Sequence, residues 1–282
     1  MALRSLSKLK LNKSLVRCFS AEPKLVSLDV NEKTGFATLN MQRPPVNSLN
    51  LELLTEITAA LTEAEKIKCR GMVLTSKSDG VFSAGLDIME MYNPEPERMK
   101  KFWMALQDAW IKLYGTSYPT VAVINGHSPA GGCLLALSCE YRVIVQNYGI
   151  GLNETQLGIV APTWFISSMK NVIGQRKSEI ALTTGHIHSA DEALQIGLVD
   201  EVVADKEEAI ARGEAFLKRF GKIPPLARSL TKKFLRQATI DDLVNNREAD
   251  LNRFVDLALL PEVQKSLGAY IQALKKKSSK SN

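Results

Sequence analysis

Two short runs without a charged side chain, Gly71-Met-Val-Leu-Thr-Ser76 and Thr120-Val-Ala-Val-Ile124, limit what this chain can fold into. Each has the length and composition of a buried strand. Ahead of the first, Leu53, Ile57, Ala60, Leu61 and Ala64 recur at helical spacing, and Asn47, Ser48 or Asn50 can cap that helix. Two strand-like runs, 25–30 and 36–41, precede it, joined by Asn31-Glu-Lys-Thr-Gly35, whose glycine suits a turn; this predicts an antiparallel hairpin. The stiff connector Arg43-Pro-Pro-Val-Asn-Ser48 leads from hairpin to helix. Strand, helix, strand in that order predicts a crossover unit and an α/β chain.

The pattern continues. Residues 97–114 read as a helix with Met99, Phe102, Trp103, Leu106, Trp110 and Leu113 on one broad face, either core or the wall of an apolar pocket. Residues 141–145 and 148–152 read as short strands, 162–184, 190–196 and 206–220 as helical, and 201–204 as a strand between the last two. Ile223-Pro-Pro225 opens a C-terminal helical region whose Leu226, Leu230, Phe234, Leu243, Phe254, Leu257 and Leu267 form apolar faces, to be packed on neighbouring subunits or on the chain's own core.

Composition excludes several classes. At 282 residues, 45% of them hydrophobic and 23% charged, the chain can bury a sizeable core, as one large domain or one domain with a smaller appendage. The net charge of +6 suggests nucleic acid until it is located: Arg4, Lys8, Lys10, Lys13 and Arg17 lie in the first 20 residues, without an acid. Without those five, 31 basic residues stand against 30 acidic ones, and Lys275, Lys276, Lys277 and Lys280 cluster at the other end. No basic stripe interleaved with aromatics runs through the body, so no nucleic acid is expected. Those last lysines read as a solvated tail rather than a phosphate contact.

Residues 1–20 read as a targeting segment. Leu3, Leu6, Leu9, Leu11 and Leu15 line one side of a basic amphipathic helix, as in mitochondrial presequences, while lysines interrupt every apolar run that a secretory signal would need. Arg17-Cys-Phe-Ser20 resembles a processing site, so maturation is expected near Phe19, with the protein in the mitochondrial matrix; the final Lys280-Ser-Asn282 is not a peroxisomal address. No apolar run is long enough to span a bilayer, and no internal repeat is visible. Cys18, Cys69, Cys133 and Cys139 form no Cys-x-x-Cys pair and read as reduced thiols. His186-x-His188 lacks further ligands nearby in sequence and His127 stands alone, so no metal site is expected.

Three stretches carry the chemistry. In Ile150-Gly-Leu-Asn-Glu-Thr-Gln-Leu-Gly-Ile-Val-Ala-Pro162 a single carboxylate, Glu154, lies among apolar residues and glycines, where poor hydration would raise its pKa and make it a base near neutral pH. The plain alternative is a turn cap or a surface ion pair. In 81–91 the small turn Ser83-Ala84-Gly85 lets a ligand approach backbone amides, though a tight turn alone would have the same composition; no nucleophile elbow surrounds Ser83. In 125–139 a loop ends at Gly131-Gly132, which open an apolar helix with bare amide protons. Two amides and one carboxylate suffice for enolate chemistry beside a thioester: the amides hold the oxygen, and the carboxylate takes the carbon-bound proton.

These stretches, in this order and spacing, resemble the crotonase (enoyl-CoA hydratase/isomerase) superfamily from about Leu25 onward. Pro45-Val-Asn-Ser-Leu49, Phe82-Ser-Ala-Gly-Leu-Asp87, Pro129-Ala-Gly-Gly-Cys133 and Gly151-Leu-Asn-Glu-Thr-Gln-Leu-Gly158 carry the likeness. The resemblance implies a ββα spiral core over 24–220 and a C-terminal helical region, 221–282, that helps form trimers, sometimes paired. It implies an oxyanion hole made by the amides of Ala84 and Gly131. Ala84, Gly85, Leu86, Asp87 and Ile88 would line the CoA thioester end, Asn153 would contact substrate and Glu154 would be the base. Hydratases of the family place a second glutamate two positions after the Gly-Gly pair, where this chain has Leu134. With one carboxylate, water is poorly held and a proton can still be shuttled, so the implied reaction is conversion of 3-cis- or 3-trans-enoyl-CoA to 2-trans-enoyl-CoA in beta-oxidation, by proton transfer from C2 to C4. No cofactor or metal is implied, CoA being part of the substrate. The alternatives are hydration, thioester hydrolysis through Ser83, Ser128 or an activated water, and a non-catalytic acyl-CoA- or RNA-binding member of the fold.

Overall fold

The computed structural model describes residues 24–278; the targeting segment and its expected cleavage near Phe19 lie outside them. Strands β1 (Val26–Asn31) and β2 (Phe36–Met41) pair antiparallel, with Val26 opposite Met41 and Asn31 opposite Phe36, as the hairpin signal predicts. Helix α1 (Leu51–Lys66), whose cap is Asn50 accepting from the Leu53 amide, carries the chain to β3 (Gly71–Ser76), parallel to β2. There follow β4 (Gly80–Val81), α2 (Pro96–Tyr114), β5 (Thr120–Ile124), β6 (Gly126–Pro129), α3 (Gly131–Ser138), β7 (Tyr141–Val145) and β8 (Gly149–Gly151). The chain continues through α4 (Thr163–Ile173), α5 (Gln175–Thr184), β9 (His188–Ser189), α6 (Ala190–Ile196), β10 (Glu201–Val203) and α7 (Lys206–Lys218). Three helices close it, α8 (Pro225–Asn245), α9 (Arg247–Ala258) and α10 (Pro261–Ser278).

The strands form two sheets. The larger has the order β1-β2-β3-β5-β7-β10 and the smaller β4-β6-β8-β9; β3-β4, β5-β6 and β7-β8 each add one strand to both sheets before the next helix, which is the ββα spiral, while β1 and β2 both belong to the larger sheet and α6 separates β9 from β10. Large-sheet residues alternate strictly between two cores. Met72, Leu74, Ala122, Ile124 and Ile144 face the main core, while Val73, Val121, Val123, Val143 and Val145 face a second one with Ala209 and Leu217 of α7. With both faces covered, these strands keep no polar side, hence the unbroken apolar runs in the sequence.

One sequence expectation changes, and one open alternative is decided in part. The helical stretch 162–184 is two helices, because Gly174 takes φ +79 between them, a conformation that ends a right-handed helix. The C-terminal helices anchor on the chain's own core through a few residues: Leu243, Phe254 and Leu267 are buried, and the Phe254 ring stacks on Trp103 at 3.6 Å between centroids. Leu226, Leu230 and Phe234 of α8 stay exposed.

Candidate active site

The site is built where the strand ends of the small sheet meet the start of α3. Asn47, fully buried in the proline connector, accepts from the Arg43 amide at 2.7 Å and donates to Ser76 Oγ at 2.7 Å and to the Phe82 carbonyl at 3.1 Å. One side chain thus ties together the connector, the end of β3 and the exit of β4. Ser83 Oγ donates to the Asn47 carbonyl at 2.8 Å and accepts from the Gly85 amide at 3.2 Å, so this buried hydroxyl is engaged in holding the turn and is not a free nucleophile.

The turn corrects one assignment. The Ala84 amide does not face an open site: it donates to the Val46 carbonyl at 2.9 Å. Gly85 then takes φ +88, which turns the next peptide, and among the described residues the Leu86 amide has no acceptor. The flanking bonds, from the Leu49 amide to the Gly85 carbonyl at 2.8 Å and from the Asp87 amide to the Leu49 carbonyl at 3.0 Å, pin this geometry. Leu86, not Ala84, therefore presents the free N–H. The signal in the sequence was the glycine before it rather than the small residues around it.

Gly131 presents the second. It opens α3 and its amide also lacks an acceptor among the described residues, while the Ala130 amide donates to the Gly151 carbonyl at 2.8 Å. Ala130 itself holds φ +48, ψ −121, a conformation costly for a residue with a Cβ, of order 1–3 kcal/mol. The two loops touch closely. A methyl on Gly131 would meet Leu49 Cδ1 at 2.9 Å and the Leu86 nitrogen at 3.3 Å, and one on Gly85 would meet Ala130 Cβ at 2.9 Å and the Gly131 nitrogen at 3.3 Å. Glycine at 85 and 131 is what brings the Leu86 and Gly131 amides side by side, with the dipole of α3 behind the second.

Asn153 and Glu154 follow the end of β8, Glu154 opening a single turn of 3-10 helix over 154–157. Glu154 is 5% exposed, and neither of its carboxylate oxygens has a hydrogen-bond partner among the described residues; the Asn153 Oδ1 is likewise buried and unpartnered. Burial raises the Glu154 pKa to about 7, with only a weak opposing effect from its own backbone. The Cys133 thiol of α3, fully enclosed, is pushed upward by burial first and then by the negative charge of Glu154. Leu134, at the position where a second acid would stand, is buried and apolar. The arrangement can take a carbon-bound proton and receive negative charge on an oxygen.

The remaining expected residues divide. Asp87 pairs with Arg43 at 3.0 Å and accepts from the Met89 amide at 3.1 Å, so its side chain fixes the loop; Ile88 is partly buried against the main core. Downstream of Glu154, residues Ile159, Ala161 and Pro162 line a cavity of about 390 Å³ together with Trp103, Phe254 and Leu257. Trp103 is thus both core and pocket wall. Its indole N–H donates to Asp250 at 2.7 Å, as does Gln107 at 2.8 Å, a carboxylate in the pocket lining that periodicity did not single out.

Residues 31–279 match the family model described as enoyl-CoA hydratase/isomerase. The mouse (Mus musculus) protein named enoyl-CoA delta isomerase 1, mitochondrial, is 45% identical over 257 residues, covering 90% of this chain and 89% of its own. The crystal structure of human mitochondrial delta3-delta2-enoyl-CoA isomerase superposes with a TM-score of 0.88 at 43% identity, over 90% of this chain and 99% of that one. An enoyl-CoA hydratase from Bacillus halodurans superposes with a TM-score of 0.79 at 23% identity, over 87% of this chain and all (100%) of that one, a likeness of fold alone.

Proposed function

The chain belongs to the enoyl-CoA hydratase/isomerase family, and from that premise we propose that it converts 3-cis- and 3-trans-enoyl-CoA to 2-trans-enoyl-CoA in the beta-oxidation of unsaturated fatty acids. The observation that carries this reading is Glu154: one buried carboxylate with a pKa of about 7 and both oxygens unpartnered, in a chain that has the buried Leu134, not a second acid, two positions after the Gly-Gly pair.

The thioester oxygen lies between the amides of Leu86 and Gly131. Glu154 takes a proton from C2; the C2–H electrons form the C1–C2 double bond of a dienolate while the oxygen gathers the charge. The same carboxylic acid returns the proton at C4, the electrons shift back, and the double bond ends between C2 and C3. Each oxyanion donor contributes about 3–4 kcal/mol to the barrier reduction, and the placed base roughly 10²–10⁴-fold in rate. Asn153 Oδ1, unpartnered at the same site, contacts substrate, and the cavity beyond Ile159 takes the acyl chain. The chemistry calls for no metal or redox cofactor.

The mouse relative is named mitochondrial, which supports a mitochondrial protein; the acid-free segment 1–20 supports import into the matrix with cleavage near Phe19. Assembly as a trimer is part of the same reading, supported by the exposed apolar residues of α8.

The test is spectrophotometric turnover of 3-hexenoyl-CoA by the mature protein beside a Glu154→Gln variant, with crotonyl-CoA hydration as control. Isomerisation that collapses by roughly 10²–10⁴-fold in the variant, with little hydration in either, is expected. Isomerisation that survives the substitution would remove Glu154 from its role.

A further inference from the structure

The turn between α5 and α6 carries a group of side chains that the isomerase chemistry does not use. His186 and His188 are two residues apart on an extended segment that ends in β9, so their imidazoles project to the same side. The third member follows closely in sequence: Glu192, in the first turn of α6, comes back over β9 because Ser189 caps that helix, and its Oε2 accepts from the Ser189 amide at 2.8 Å. One ligand atom from each of His186, His188 and Glu192 falls within 4.8 Å of the others. His186 Nε2 lies 3.5 Å from Glu192 Oε2, and the two imidazoles meet edge to face at 4.5 Å between centroids.

One atom of this cluster is unexplained by protein contacts alone. His188 Nε2 is out of solvent with no hydrogen-bond partner among the described residues, a cost a folded chain normally avoids. His186 and Glu192 are each about half exposed, 49% and 51% by side chain, and so leave the cluster open to an ion from solution.

We propose that His186, His188 and Glu192 form a binding site for a divalent transition-metal ion, Zn²⁺ being the ion that suits two imidazoles, one carboxylate and a water. Zinc–nitrogen and zinc–oxygen distances of about 2.0–2.2 Å bring tetrahedral ligand atoms to about 3.4 Å apart, so the three groups close in by about 1 Å. The exposed His186 and Glu192 side chains supply that movement, and the bond from the Ser189 amide already orients the carboxylate, as an outer partner does in metal sites. The site backs the catalytic segment. His188 stands opposite Ile150 of β8, three residues before Asn153. Between them Thr155 Oγ1 donates to the Leu182 carbonyl at 2.6 Å and Gln156 Nε2 to the Thr184 carbonyl at 3.3 Å. An ion here clamps residues 182–192 behind Glu154 and stabilises the fold without entering the reaction.

The experiment uses untagged mature protein, stripped with chelator and titrated with Zn²⁺ against a chromophoric competitor, with Co²⁺ absorption as a second readout. One ion per chain is expected, together with a rise in melting temperature and a four-coordinate Co²⁺ spectrum lacking thiolate charge-transfer bands. His186→Ala and His188→Gln should each weaken binding by more than about tenfold. His186 is exposed enough that its removal leaves the fold intact, and enoyl-CoA turnover by that variant in the absence of metal checks this. Binding weaker than the competitor can detect, unchanged affinity in both variants, or a thiolate band from a cysteine site would each overturn the proposal.

Discussion

Glu154, the proposed base, carries a cost to the fold. Its folded-state pKa of about 7 lies above the ordinary 4.5, so the folded chain holds this proton more tightly than the unfolded one. Stability therefore falls as pH rises from about 4.5 to about 7 and stays lower above it, by about 3 kcal/mol on linkage alone. Glu154→Gln should melt higher than the parent at pH 8 and nearly level with it at pH 5, while the parent's kcat/KM rises as pH passes about 7. Equal melting temperatures at pH 8 would mean that the carboxylate is better solvated than its burial implies. The glycines at this site act through space rather than charge. A methyl on Gly132 would meet the Ser83 carbonyl oxygen, a backbone atom, at 2.7 Å, whereas one on Gly131 would press mainly on the Leu49 and Leu86 side chains. Gly132→Ala should lower stability by about 1–3 kcal/mol in urea unfolding, and Gly131→Ala should lower kcat by about 10²–10³-fold with a smaller loss of stability. Glu154 and Gly131 were legible in the sequence because composition marks a lone acid among apolar residues and glycines at a helix start. Leu86 was not, because the direction of an N–H depends on which carbonyls lie nearby, and the Val46 carbonyl that occupies Ala84 comes from another loop.

At the scale of elements, α3 sets one donor and α8 braces its far end. Burial by itself would raise the Glu140 carboxyl, but Lys232 and Arg228 outweigh it and hold the group below its ordinary value; Lys232 Nζ is 2.9 Å from the carboxylate and also donates to Thr116 Oγ1 at 2.7 Å. Arg236 adds bonds to the Ser138 carbonyl at 2.8 Å and the Tyr114 carbonyl at 2.9 Å, where α3 and α2 end. Glu140→Gln leaves buried cations without their counter-charge and should cost about 3–5 kcal/mol, read as a lower urea midpoint with an unchanged slope. Retention of the parent midpoint would show that the cations find water instead. The large-sheet strands and most helices were readable from periodicity, since each contributes a stripe or an alternating face to a core, whereas β4, β6 and β9 of the small sheet are two to four residues long, too short to show a period, and β6 lies in a stretch whose composition reads as a loop. The break at Gly174 was not, because nothing lies within 4 Å of an added Cβ there and only its φ of +79 marks the end of a helix.

Across the whole molecule, apolar surface remains after the C-terminal helices have packed. Leu226, Phe234 and Leu235 of α8 are 71%, 76% and 79% exposed, more than a solitary soluble chain usually leaves together on one helix. Sedimentation equilibrium should give three chains per particle, and Phe234→Glu with Leu235→Glu should shift it toward single chains while Glu154 chemistry is assayed separately; a parent that sediments as one chain would refute the assembly. The sequence by itself determined the α/β crossover pattern, the chemically distinctive stretches and Glu154 as the candidate proton acceptor, because burial periodicity and residue chemistry are written locally, while the spiral was implied by the family resemblance those stretches carry. Tertiary structure alone decided that Leu86 rather than Ala84 offers its amide, that Trp103 faces a cavity with Asp250 in its lining, and that Glu192 meets His186 and His188. The first two rest on hydrogen bonds and packing between segments that sequence spacing leaves unrelated, and the third on the local turn by which the Ser189 cap folds Glu192 back over β9.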